Sequence, residues 1–519
     1  MIKLLRQVVL CGLLALFGVQ QVVAATPATQ TKAPEPAKIT ATKKRDAKTA
    51  VKRKPKLTAV EKKHLRDQFL KGYALFEKKK YSAACPYFFE FTSKLTPDDA
   101  DYEWAAFFFG VCLLRMGYSH AAVDVIGHLL PRKPNPKIVT YCLEIFETLL
   151  REKPCDKRFI TETALSDQDY GFVEGEMSDF VHYYQGLNDW ERGLFEWGNQ
   201  HFNQIRPWGH YFFKYLYQQA LYNVYQDRIE DAIKILDQIV AHPKATREMQ
   251  NEARKTLARL LYESGSYEDA DFMYTQIQES ILEQSENLLE RAWAHYRMGH
   301  PEKAMGLLFS FEAPKFQDAF RPEYFILKSF IYKDVCHYRR ALSVVNEFKS
   351  RYGDALKHVY ERSKAEDNHA LMLVMLSKPQ INHTYRFLNL LTAEAAALEE
   401  LEDAGMRSYL QHIYDLQMKE SRAELRSQID DTYAVIANNL LQYEEDTHLM
   451  EYEIGLDMYQ RVSQIHFEEE QDPSVEKVTP RKVAVYNFQG EYWNDELATY
   501  QVELENRCKN MEEWDIFFK

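Results

Sequence analysis

Sixteen histidines, seven cysteines and 77 acidic side chains give this 519-residue chain the raw material for catalysis or metal binding, yet their spacing assembles no familiar constellation. A phosphate cradle needs GxxxxGK, a dinucleotide turn GxGxxG, a serine nucleophile GxSxG and a helical zinc site HExxH; none of these occurs, and neither does CxxC. His201 and His210 flank a turn containing Trp208, but two imidazoles without a Cys or acid beside them read as structural, so no metal is assigned. Pairs of carboxylates can be picked anywhere on a charged helical surface and carry no specificity. The residue types therefore point away from an enzyme, with no catalytic residue and no cofactor.

The elements that must position the remaining side chains are legible as repeats. Ala258 to Ile277, ARLLYESGSYEDADFMYTQI, reads as a helix, a tight Gly265-Ser266 turn and a second helix with Ala270, Tyr274 and Ile277 on its inner face. The pattern returns 34 residues on with Ala292, Gly299, Ala304, Leu308 and Phe311. A small residue midway along the first helix and another early in the second let two backbones approach closely. Such pairs recur as Gly72 with Ala84, Gly110 with Ala122, Gly186 with Gly198, Ala220 with Ala232, Ala258 with Ala270, Ala292 with Ala304 and Ser329 with Ala341. The steps between second members are 38, 76, 34, 38, 34 and 37, and the double step implies a degenerate unit over Pro136–Thr163 whose first helix is IVTYCLEIFETLLREK.

This period and small-residue pattern resemble the tetratricopeptide repeat over about Leu57 to Gly353. The expected fold is all-α, a right-handed tetratricopeptide-like α-solenoid followed by long C-terminal helices. The resemblance implies that the first helix of each pair lines a peptide-binding groove. Spacing from the small residues places Tyr217, Leu221 and Tyr225; Lys255, Arg259 and Tyr262; Leu289, Trp293, Tyr296 and Arg297; and Ile326, Phe330 and Lys333 on that side. Rigid aromatic rings and guanidinium planes are the types that dominate binding hot spots. The interleaved cations would make a basic strip suited to an acidic or C-terminal carboxylate ligand.

The flanks set the context. Residues 1–24 carry two positive charges, an apolar run from Val8 to Val19 and small residues at Val22 and Ala24, the layout of a secretory signal cleaved after Ala24 or Ala25. Residues 25–57 hold ten Lys or Arg against Glu35 and Asp46, a net of +8, and lack aromatics, so they read as a basic disordered tether. With the total at −12 and the signal at +2, the rest of the chain carries −22, which disfavours nucleic acid as a partner. The tether is expected either to space the body from, or to contact, an anionic envelope surface. No later stretch is apolar enough for a transmembrane segment in the mature chain, and export without an anchor leads to an expected periplasmic location.

Repeats are expected over 58–353, a long-helix extension over 354–467, an acidic linker over 468–480 and an aromatic-rich docking segment over 481–519. Within the extension, one helix from Gly405 to about Val462 would exceed its own repeats at about 80 Å, with Leu425, Ile429, Tyr433, Ile436 and Leu440 on one face. The alternative is a terminal hairpin capping the array. Asn494–Arg507 reads as a last helix, and FQGEYWNDEL is similar to C-terminal tails of tetratricopeptide proteins from gliding and predatory bacteria, which implies a link to motility machinery. Among the cysteines, Cys85 with Cys112 and Cys142 with Cys155 are the conceivable bridges, against buried free thiols. The leading expectation is a scaffold recruiting protein partners, a peptide or helix in the groove, into an envelope complex. An assembly or secretion factor, and an unrecognised enzyme in the C-terminal third, are the alternatives.

Overall fold

The computed structural model describes residues 58–99, 101–166, 168–277, 281–316, 319–465, 492 and 496–509; the signal, the tether and most of the aromatic segment, Val483 to Phe488 and Trp493 included, lie outside them. Every regular element among the described residues is a helix, as the repeat pattern requires. The chain divides into two compact units: an N-terminal one up to Tyr215 together with His383–Leu425, and a C-terminal one of Leu216–Asn382 together with the chain from Arg426 onward.

In the N-terminal unit, α1 (Ala59–Glu77) pairs with α2 (Tyr81–Lys94), α3 (Tyr102–Arg115) with α4 (Ser119–Gly127), and α6 (Glu176–Glu191) with α7 (Phe195–Phe202). The small residues sit at the crossings. A Cβ on Gly198 would lie 2.8 Å from the Gly186 carbonyl oxygen and 2.4 Å from Trp190, so this crossing requires glycine. The degenerate unit begins as expected with α5 (Pro136–Glu152), capped by the Asn135 side chain on the Lys137 amide. Its second helix is missing. A seven-residue π-helical turn, Phe159–Leu165, takes its place.

The pairs go on with α8 (His210–Tyr225), of which the part from Leu216 belongs to the C-terminal unit, and α9 (Ile229–Ala241), α10 (Arg247–Glu263) and α11 (Tyr267–Thr275), α12 (Ile281–Arg297) and α13 (Pro301–Phe309), and α14 (Pro322–Asp334) and α15 (Tyr338–Tyr360). Ala220, Ala232, Ala258, Ala270, Ala292 and Ala304 are fully buried where these pairs cross. In the last pair, Ser329 donates its hydroxyl to the Ala341 carbonyl at 3.3 Å.

Beyond the repeats come α16 (His369–Leu376), α17 (Pro379–Ala396) and the 62-residue α18 (Ala404–Ile465). Its two parts belong to different units, and each packs on the repeats of its own unit. In the N-terminal unit Met406, Leu410 and Tyr414 share a core with Ala84, Cys85, Phe88 and Leu113. In the C-terminal unit Met450 and Ile454 pack against Tyr338, Ala341 and Val345 of the last pair. The apolar face supplies the reason, since Ile429, Ile436 and Leu440 are buried at helical spacing.

The expectation for the tail fails. Asn494–Arg507 is not a helix in its described part; Glu496–Thr499 form a turn and 501–506 have no regular structure, ending in a short 3-10 turn at Arg507–Lys509. The backbone spends its hydrogen bonds on the body instead. Val502 N–H donates to Glu302 O, Arg507 N–H to Val335 O, and the Leu497 carbonyl accepts from Ser310. The tail needs Gly306 to lie this close, because a Cβ there would fall 1.8 Å from the Tyr500 carbonyl oxygen. Of the two readings left open for the cysteines, buried free thiols holds for Cys85, Cys112, Cys142 and Cys155, and the one disulfide among the described residues joins Cys336 to Cys508, a pair the spacing did not single out. Burial pushes Cys155 up to about 12 and Cys142 higher, which keeps both thiols protonated and inert.

Candidate functional site

The residues picked for the groove fall on α8, α10, α12 and α14, the first helices of successive pairs in the C-terminal unit. On α10 the face is set by Lys255, Arg259 and Tyr262 at four- and three-residue spacing, and Thr246 fixes the start of the helix by accepting from the Met249 amide.

Neighbouring first helices are joined by a ladder of polar contacts. Tyr217 Oη meets Thr256 Oγ1 at 3.0 Å, Lys255 Nζ donates to Glu286 Oε2 at 2.6 Å, and Arg259 reaches Glu290 at 2.6 Å and Glu286 at 3.2 Å. Tyr296 donates to Asp334 at 2.6 Å, Arg297 lies on the Tyr262 hydroxyl, and Lys333 donates to Glu453 of α18. Phe330 is half-buried against the Met450 cluster. Trp293, Leu221, Leu289 and Ile326 are core residues, which removes them from any contact surface. Tyr225 and Arg297 stand exposed at the surface of the row.

The electrostatics follow from burial and pairing. Burial works against the charge of Glu286, but Arg259 and then Lys255 outweigh it and hold the carboxyl at about 2. Arg259 is likewise raised, burial opposing and Glu290 and Glu286 prevailing. Glu323 goes the other way. Burial, and then the charge of Glu290, push it up to about 7, with the Tyr443 hydroxyl 3.5 Å away. Arg321 also acts on Glu286 and Glu323. Lys255, Arg259 and Arg321 therefore face acids of the same row, so the cations of the expected basic strip are largely taken up by pairing within it.

Reasoning from small-residue spacing missed Glu286, Glu290 and Glu323. A signal for two of them was present, because Lys255 to Glu286 and Arg259 to Glu290 both span 31 residues. Comparing charges at equivalent places in consecutive repeats exposes that register.

Histidine chemistry takes a different partner from the one the sequence suggests. His201 Nδ1 lies 3.1 Å from His182 Nδ1, not beside His210, and burial lowers the pKa of both rings of the pair. Among the described residues no three His, Cys, Asp or Glu side chains converge as a metal site.

The helix pairs, which cross at buried small residues, resemble those of tetratricopeptide proteins. Neither a protein-family model nor a curated protein sequence matches the chain. Among solved structures it is similar to a tetratricopeptide repeat protein from Parabacteroides merdae ATCC 43184, at 14% identity over 55% of this chain and 92% of that one, with a TM-score of 0.22. The apo form of RapI is similar at 11% identity over 70% of this chain and 98% of that one, TM-score 0.31. Superpositions this loose say nothing about partners. The fold rests on the helix pairs and their buried small residues.

Proposed function

We propose that the chain is an exported protein-interaction scaffold of the bacterial envelope, which works by binding and not by catalysis. The observation that carries this reading is the ladder between first helices. Partly buried ion pairs hold neighbouring helices in one register, and a row whose geometry is fixed in advance binds a partner at a lower entropic cost than a flexible one. Lys255 and Arg259 serve this register. Contact with a partner then falls to what the row leaves exposed, Tyr225 and Arg297, with the edges of Tyr217, Tyr262 and Tyr296.

The signal-like first 24 residues support a periplasmic location, and the tail string FQGEYWNDEL supports a place near motility machinery. The test is recovery of stoichiometric partners when the mature protein is used as bait in envelope extracts. Recovery of none across several extraction conditions overturns the scaffold reading.

A further inference from the structure

The part of α18 in the C-terminal unit is apolar on two opposite sides. One side, with Met450, Ile454 and Met458, is built into the cluster on α14 and α15. The other carries Leu449, Tyr452, Leu456 and Tyr459, which are 54%, 70%, 42% and 72% exposed. Their spacing of three, four and three residues is that of a coiled-coil seam, and at 100° per residue they occupy a stripe about 80° wide. Single exposed apolar residues need no explanation; an uninterrupted row of four large ones marks a contact surface.

Charge identifies what fits there. From Ser427 to Gln460 the helix carries eight acidic side chains and not one Lys or Arg. Lys349 and Lys333, from the body, take Glu451 and Glu453. Glu445 stands exposed in line with the stripe, and Glu453 is the acid nearest its edge. A second copy would bring acid onto acid, which costs affinity. The chain's own tether has the right sign, but its only large aliphatic residues are Ile39, Val51 and Leu57, too few and too far apart to fill a heptad seam.

We propose that this stripe is the docking seam for a basic amphipathic helix of another protein. The proposal rests on the scaffold reading but uses a different face from the first-helix row. The test uses the full mature protein and synthetic helical peptides of about three heptads, with identical Leu seams flanked by Lys and Arg, or by Glu, and a scrambled version of the basic one. Only the basic amphipathic peptide should bind, and Tyr452→Ser with Leu456→Ser should weaken it by about tenfold or more, on the order of 1.4 kcal/mol, with helix content unchanged by circular dichroism. A second variant, Glu445→Lys, should weaken it without touching an apolar contact.

Equal binding of the scrambled peptide, or affinity unchanged in both variants, overturns the proposal. So does a dimer that Tyr452→Ser dissolves, which makes a second copy the occupant, or peptide binding that appears only after deletion of residues 466–491, which makes that segment the occupant. Failure here with envelope partners still recovered leaves the scaffold reading standing; loss of both removes it.

Discussion

Glu323 and Arg259 are where single side chains make measurable commitments. Between its ordinary value of 4.5 and about 7, Glu323 keeps in the folded chain a proton that the unfolded chain has lost. Its contribution to stability is therefore fully present at low pH and is lost as pH rises through that window. Glu323→Gln should flatten this part of the pH profile in denaturant titrations and be the more stable form at pH 8; an unchanged slope between pH 5 and 7 contradicts the assignment. Arg259→Ala leaves Glu290 without its cation and Glu286 with Lys255 alone and should cost about 1–3 kcal/mol, whereas Tyr225→Ala should stay within about 0.5 kcal/mol. Equal effects in thermal denaturation would mean that the ladder holds nothing together. These roles were only half legible in the sequence. Repeat spacing put Lys255 and Arg259 on the right face, but a one-helix pattern does not show which acids the next helix brings up against them.

Element by element, the sequence is most readable where backbone contact forces residue size. The seven small-residue pairs each fall in two consecutive helices, because at such crossings little else fits. Gly198→Ala tests this sharply. Helix propensity alone favours Ala by about 1 kcal/mol, yet a Cβ 2.8 Å from the Gly186 carbonyl should reverse the sign and destabilise by about 1–3 kcal/mol. A neutral or stabilising result by chemical denaturation would mean that α6 and α7 do not cross there. Legibility ended at the tail. The periodicity of Asn494–Arg507 is compatible with a helix, but local pattern cannot weigh the Ser310, Glu302 and Val335 hydrogen bonds or the Cys336 bridge that hold it against the body. The long helix was found nearly to its ends, but not its partners, since a stripe of apolar residues does not say what covers it.

For the molecule as a whole, sequence order separates charge: a net of +8 over residues 25–57 precedes −22 beyond them. Among the described residues no helix is long and apolar enough to cross a membrane. If the tether's charge holds the body at an anionic surface, deleting Lys32 to Lys56 should move the protein from the envelope fraction into the soluble one, and raised salt should do the same to the intact chain. Retention in both cases would reduce the tether to a spacer. The central claim is that the exposed edge of the first-helix row meets partner proteins in the cell. The most direct measurement is site-specific photocrosslinking in living cells from Tyr225 and Arg297, with Asp237 on α9, exposed on a second helix, as the control. Discrete high-mass adducts from the first two positions and none from Asp237 are predicted; adducts from all three alike, or from none, would contradict the account.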